Sequence, residues 1–164
     1  MRFYIKQKVF SIRDKFRILD ESQRELYVVE GKFFSIKNKL ELLNINGSQV
    51  LHAEKKVLSF MPRYTIFSPH GDALAVVQRK MALRPKFIVE VDNEELQVEG
   101  SFFGHSFNVL RSGNVVASIQ KKIISWGDTY EIHIADELNV ELYLFIVIII
   151  DQVIHEQQKR NHSN

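Results

Sequence analysis

Alternation between apolar and polar positions dominates most of the chain. Residues 50–57, 73–81 and 115–124 are rich in β-branched side chains and short enough to be strands. Groups of turn-forming residues separate such segments, at 20–24, 46–47, 70–72, 92–93 and 112–114. One segment, 142–150 (LYLFIVIII), is apolar at every position. The pattern therefore predicts a mainly β protein with one fully buried segment near its C-terminus.

The predicted strands belong to an internal duplication. The sequence EGKFF at 30–34 recurs as EGSFF at 99–103, and EKKVLSF at 54–60 recurs as QKKIISW at 120–126. The second pair of segments stands at the same distance after Gly47 and after Gly113. Repeats of this kind indicate repeated structural units. We predict two six-strand halves, about 3–67 and 73–134, within a single domain spanning 1–164.

A sheet of about twelve strands exposes two unpaired edges unless it closes on itself. A closed barrel of that size leaves more interior space than side chains from the wall can fill. An α-helix is about 10–12 Å across and suits such a space. We predict that residues 140–157 form a central helix, because a helix buried on all sides should be apolar all round. The run at 145–150 has strand propensity, so this prediction requires burial to override propensity.

Composition limits the classes of function. The chain has 164 residues, a formal net charge of +2 and no cysteine. This charge does not argue for a nucleic-acid partner, and the missing cysteines exclude disulfides and thiolate metal sites. The apolar segment at 142–150 is shorter than the roughly 20 residues that a transmembrane helix requires, and residues 1–8 lack the apolar core of a signal peptide. We expect a cytoplasmic monomer without a transmembrane segment.

Several segments resemble the LURP-one-related family, and its bacterial branch in particular. They are the two EG-x-FF motifs, residues 54–64 (EKKVLSFMPRY), residues 121–130 (KKIISWGDTY) and the apolar tail. That family is similar to the tubby C-terminal domain and to phospholipid scramblases. The resemblance implies a twelve-stranded barrel around a central hydrophobic helix, and it names a fold more firmly than an activity.

Candidate chemistry is sparse. Six histidines are scattered along the chain, and none forms a paired metal-binding signature. The sequence GHS at 104–106 lacks the second glycine and the strand–turn–helix setting of a nucleophile elbow. We predict no catalytic residue, no metal and no cofactor. An enzyme using His105 or His133 at one barrel mouth is the least favoured alternative.

Basic pairs recur in the predicted strands. Because side chains alternate between faces, Lys55, Arg79 and Lys121 fall on the more apolar face. Three interpretations compete. These cations reach water at the barrel rim, they discourage edge pairing during folding, or they form buried pairs with an acid of the helix, such as Asp151 or Glu141. We favour the first.

The second cation of each pair falls on the outer face. With two further arginines these residues form a predicted basic patch: Lys56, Arg63, Lys80, Arg84 and Lys122. The leading functional hypothesis is a non-enzymatic binding module acting at an anionic phospholipid surface or on a protein partner. The alternative is a protein-interaction or stress-response scaffold. An ordinary solvated strand face would also explain the patch.

Overall fold

The computed structural model describes residues 1–6, 15–32, 39–56, 58–82, 86–101, 105–124, 127–135 and 138–162. Within these ranges the chain forms twelve strands and one helix. They are β1 (Arg2–Lys6), β2 (Lys15–Leu19), β3 (Glu25–Lys32), β4 (Lys39–Asn44), β5 (Gln49–Lys55), β6 (Arg63–Phe67), β7 (Ala73–Lys80), β8 (Lys86–Val91), β9 (Glu94–Ser101), β10 (Ser106–Arg111), β11 (Asn114–Ile124), β12 (Gly127–Ile134) and α1 (Val140–His162).

The strands form a closed antiparallel barrel in which each strand pairs with its neighbours in sequence. The closing pair is β1 with β12, whose register places Phe3 opposite Ile132. The hairpin turns that follow β2, β4, β6, β8 and β10 therefore lie at one end, which we call the turn end. Positive φ angles occur in these turns, as at Gly47 (79°) and Gly113 (82°), where glycine meets no steric penalty. The predicted turns and the predicted closed barrel are confirmed.

The opposite end, which we call the loop end, carries the connections that follow β1, β3, β5, β7, β9 and β11. The helix begins after β12 at the turn end and passes through the barrel toward the loop end. Contacts fix this direction, because Glu141 near the start of α1 bonds Tyr27 of β3, whereas Asp151 bonds His105 in the β9–β10 connection.

The core is the interface between the inner wall and α1. Every residue from Leu142 to Ile150 is buried, and so are alternate wall residues such as Phe87, Val89 and Val91. Enclosure on all sides explains why a segment with strand propensity is helical, since burial outweighs that weak preference. The central helix is thus confirmed, although it extends to His162 rather than ending near Gln157.

β-Bulges next to the hairpin turns adjust which side chains of a strand face the barrel interior. Among the described strand pairs the register shifts in four hairpins, and each shift leaves one extra residue on the second strand of the pair, just after the turn. The extra residues are Leu26, Val50, Leu74 and Val116. All four are partly buried apolar side chains packed against the core. Bulges increase local twist and help a sheet to close.

The strands divide evenly between the predicted halves, with β1–β6 inside 2–67 and β7–β12 inside 73–134. The duplication itself stays a prediction from the sequence. Strand β5 ends at Lys55, and Val57 lies outside the described residues.

Candidate functional site

The structure brings together three members of the predicted basic patch. Lys56 follows β5, Arg63 begins β6 and Lys80 ends β7, so they lie at the loop end of three adjacent strands. Lys56 is exposed, whereas Arg63 and Lys80 are half-exposed. The backbone N–H of Lys56 donates to the carbonyl of Arg63 at 2.9 Å, which extends the β5–β6 pairing by one residue.

Lys122, a fourth member of the predicted patch, is not part of this group. Lys122 lies on β11, which β8, β9 and β10 separate from β7. Its Nζ is 3.7 Å from Oε1 of Glu131. Arg84 lies outside the described residues.

A fourth cation, which sequence reasoning missed, joins the group. Lys86 at the start of β8 is exposed and lies directly opposite Lys80 in the register. Like charges in this arrangement destabilise a sheet. Lys80 Nζ donates to Oε1 of Gln78 at 3.3 Å. The sequence could have indicated Lys86, because a short connection between β7 and β8 places the cations on either side of it next to each other. We call Lys56, Arg63, Lys80 and Lys86 the basic surface.

Carboxylates accompany other cations of the loop end but not these. Lys15 Nζ lies 2.7 Å from Glu30, and Lys39 Nζ lies 3.0 Å from Glu54. Within the described part of the chain, no carboxylate pairs with a cation of the basic surface. Its positive charge is therefore not neutralised by close described neighbours.

The first cation of each sequence pair lies on the inward side of its strand, as the alternation predicted. Each stands opposite a buried aromatic side chain in the register: Lys55 with Tyr64, Arg79 with Phe87 and Lys121 with Tyr130. Lys55 Nζ is 5.7 Å from the centre of the Tyr64 ring, within range of a cation–π interaction. Lys121 is exposed, consistent with the rim interpretation.

Arg79 is partly buried. Its Nε is buried and finds no hydrogen-bond partner among the described residues. Burial lowers the pKa of its guanidinium below the ordinary value. The two helix carboxylates considered as partners for the inward cations bond elsewhere, Asp151 to His105 and Glu141 to Tyr27.

His105 and Asp151 form a second polar feature at the loop end. His105 Nδ1 lies 2.6 Å from Asp151 Oδ1, and its ring packs edge-on against Tyr130. A cavity of about 20 Å³ beside them is lined by Tyr130, Asp151 and Gln152 together with apolar side chains. That volume admits about one water molecule. His133, the other candidate histidine, is exposed on the outer side of β12, whereas Tyr130 of the same strand faces the cavity from the inner side.

Two tyrosines secure the start of α1 at the turn end. The Tyr27 hydroxyl donates to Glu141 Oε1 at 2.8 Å, and Arg111 Nη2 donates to the Tyr143 hydroxyl at 2.6 Å. Burial, with a smaller effect of Glu141, raises the pKa of Tyr27 to about 12. Burial likewise raises the pKa of Tyr143. Asn139 Oδ1 accepts the N–H of Leu142 and caps the helix.

Apolar side chains are exposed beside the basic surface. Leu58 and Phe60, between β5 and β6, are 95% and 87% exposed, and Met81 after β7 is 70% exposed. The charge distribution differs at the turn end, where Glu90, Asp92, Glu94 and Glu95 surround an open concavity of about 590 Å³ on the outer face. The described surface is thus basic over part of the loop end and acidic over part of the turn end.

No helix among the described residues combines the length and the hydropathy needed to cross a bilayer. The described His, Asp and Glu side chains also form no group of three arranged to hold a metal ion.

The sequence model of the LURP-one-related proteins matches residues 1–151, which include all the strands of the barrel and about the first half of α1. The chain belongs to the LURP-one-related family. Its similarity to the uncharacterized protein YxjI of Bacillus subtilis (strain 168) is 34% identity over 159 residues, covering 96% of each chain. The fold of this LURP-one-related chain also matches a crystal structure of an Arabidopsis thaliana protein. The TM-score is 0.69 at 22% identity, over 93% of this chain and 90% of that one.

Proposed function

We propose that this chain is a non-enzymatic, cytoplasmic binding module that docks on anionic phospholipid surfaces through its loop end. The observation that supports the proposal is the basic surface, which places Lys56, Arg63, Lys80 and Lys86 on consecutive strands without a described carboxylate partner. The cytoplasmic leaflet is the anionic one in cells, so its lipids have the complementary charge.

The charge distribution gives the docking a direction. A bilayer of negative surface potential attracts the basic loop end and repels the acidic residues around Asp92 and Glu94 at the turn end. A net charge of +2 is small, so orientation depends on how the charges are placed rather than on their sum.

The energies involved fit a reversible peripheral interaction. Each Lys or Arg near an anionic surface contributes about 1 kcal/mol. Neutralising three of them should therefore reduce partitioning roughly 100-fold, since about 1.4 kcal/mol corresponds to a factor of ten. Because exposed charges are screened over about 10 Å at 0.1 M ionic strength, raising the salt concentration should release the protein.

The non-enzymatic part of the proposal is supported by the surroundings of His105. The Nδ1 of this histidine is engaged by Asp151, and the adjacent cavity is of water size. A substrate-binding cleft ordinarily has several hundred Å³. The outer concavity at the turn end is larger, but its polar side chains are four exposed carboxylates and the exposed Asn93.

Co-sedimentation with vesicles tests the proposal. Phosphatidylcholine vesicles with and without phosphatidylserine are compared at low and at moderate salt. We expect salt-sensitive binding to the anionic vesicles alone, and its loss in K56Q/R63Q/K80Q. The matched control is R2Q/R17Q/R24Q, which removes the same charge toward the turn end and should bind like the unmodified protein. Absence of binding under all conditions would refute the membrane role and leave a protein partner as the remaining hypothesis.

A further inference from the structure

The connection between β5 and β6 lies at the loop end and has an apolar sequence. Residues 57–62 (VLSFMP) contain no charged side chain and one polar side chain, Ser59. The connection is anchored at its base by the Lys56–Arg63 backbone hydrogen bond, and the Ser59 N–H lies 3.4 Å from the carbonyl of Lys56. Leu58 and Phe60 project almost fully into solvent. Exposed aromatic and branched side chains carry a hydration cost, so a cluster of them indicates an interaction site.

The neighbouring connection adds to this cluster. The Arg79 N–H donates to the Pro62 carbonyl at 3.0 Å, which ties the β5–β6 connection to the end of β7. Met81 follows that end directly and is exposed. We call Leu58, Phe60 and Met81 the apolar tip. Lys56, Arg63 and Lys80 flank it in sequence and in the barrel order.

We propose that the apolar tip inserts into the boundary between the headgroups and the acyl chains of an anionic bilayer, while the basic surface contacts the headgroups. This inference rests on the proposed function. It adds the depth and the orientation of binding, because the loop end then faces the bilayer and the turn end faces solvent. Apolar side chains of interfacial segments reach about 5–10 Å into that boundary.

Charge complementarity favours a bilayer as the occupant. An apolar tip surrounded by cations matches an interface whose interior is apolar and whose surface is anionic. The alkyl stems of Lys56 and Lys80 let their ammonium groups remain at headgroup level while the tip lies deeper. Ile45, also exposed at 66%, provides a contrast, because it lies in the β4–β5 turn at the other end of the barrel.

The absence of cysteine from the chain permits a direct test of depth. A single cysteine at Phe60 (F60C) or at Ile45 (I45C) is labelled with the polarity-sensitive fluorophore NBD. On addition of vesicles containing phosphatidylserine, the label at position 60 should shift to the blue and brighten. Nitroxide groups on the acyl chains should quench it. The label at position 45 should keep its aqueous spectrum.

A binding measurement provides a second, label-free criterion. The double variant L58S/F60S should weaken partitioning by at least roughly tenfold, because two apolar side chains no longer enter the interface. The variant I45S/V115S changes two exposed apolar residues near the turn end and should bind like the unmodified protein. All four positions are exposed, so the melting temperatures should agree.

The outcomes separate this inference from the function on which it rests. Binding to anionic vesicles with an aqueous spectrum at position 60 and unchanged affinity of L58S/F60S would overturn insertion and leave electrostatic docking intact. No binding of the unmodified protein would overturn both, and the apolar tip would then be a surface for protein contacts.

Discussion

The Nδ1 of His105 lies 2.6 Å from the Oδ1 of Asp151, and this contact joins the barrel wall to the central helix at the loop end. His105 belongs to the β9–β10 connection and has a positive φ of 49°, an uncommon conformation for a residue other than glycine. Its side chain is buried, and the imidazole must be the donor when the carboxylate is ionised. The pair therefore fixes the position of α1 relative to the wall at the end opposite its capped start.

Replacing His105 by alanine should destabilise the protein by about 1–3 kcal/mol, because a partly buried carboxylate loses its hydrogen-bond donor. Urea unfolding followed by circular dichroism measures the change. The matched control is His133→Ala, which removes an exposed histidine from the outer wall and should change the stability by less than about 0.5 kcal/mol. Equal effects of the two substitutions would show that the His105–Asp151 contact contributes nothing.

Gly100, in the second EG-x-FF motif, lies where only glycine fits. Its φ is +143°, and a Cβ atom there would lie 2.5 Å from the carbonyl oxygen of Ser106 and 2.6 Å from the Cα of Phe107 on β10. Gly100→Ala should therefore cost more than about 2 kcal/mol, through both steric overlap and backbone strain.

Gly47→Ala is the control for the steric overlap. Gly47 also has a positive φ, but nothing lies within 4 Å of the position that an alanine methyl group would occupy, so only the backbone strain of about 1 kcal/mol applies. Thermal unfolding of both variants should place the melting temperature of Gly100→Ala clearly below that of Gly47→Ala. If the two melting temperatures coincide, the close approach of β10 has no energetic weight.

Much of the fold could be predicted because the relevant signals are local or repeated. Turn residues such as Asn46 and Gly47, strand alternation and the two EG-x-FF motifs lie within short segments. The apolar run Leu142–Ile150 could be assigned to the interior because no other environment suits it. Inward placement of Lys55 followed from alternation alone, since the β5 bulge at Val50 precedes it.

The candidate site was less predictable because it depends on contacts between distant segments. The basic surface needed the strand order to separate Lys122 from Lys80 and to add Lys86. The contact of His105 with Asp151 joins residues 46 positions apart, and it depends on how deeply α1 lies in the barrel. The exposure of Phe60 was not foreseen either, because an aromatic residue within a repeated strand motif is ordinarily part of the core.

Tyr27 should give the protein a pH-dependent stability at high pH. Its pKa is raised to about 12 from the ordinary value of 10.0, so folding favours the protonated phenol. The corresponding stability is complete below pH 10, the unfolded pKa, and is lost as the pH rises through about 12.

Spectrophotometric titration of tyrosinate checks this expectation. The unmodified protein should show a phenol titrating near pH 12 that is absent from Tyr27→Phe, while Tyr143, whose pKa is also raised by burial, remains in both proteins. The unfolding free energy of Tyr27→Phe should also decline less between pH 10 and 12. Tyr4→Phe, on the half-exposed outer side of β1, is the control. Loss of the late-titrating phenol in that variant instead would contradict the assignment to Tyr27.

The central position of α1 makes Ile148→Asp the most severe of these substitutions. Ile148 is 4% exposed and lies against the inner wall of the barrel beside Ile5 and Ile119. An ionised carboxylate there would be buried among apolar side chains, which costs several kcal/mol. Such a loss approaches the whole stability of an ordinary domain, about 5–15 kcal/mol. We expect an unfolded or aggregated product by circular dichroism and size-exclusion chromatography. Ile45→Asp, which places the same charge in an exposed turn, should fold normally. A folded Ile148→Asp variant would mean that the barrel does not need α1 as its core.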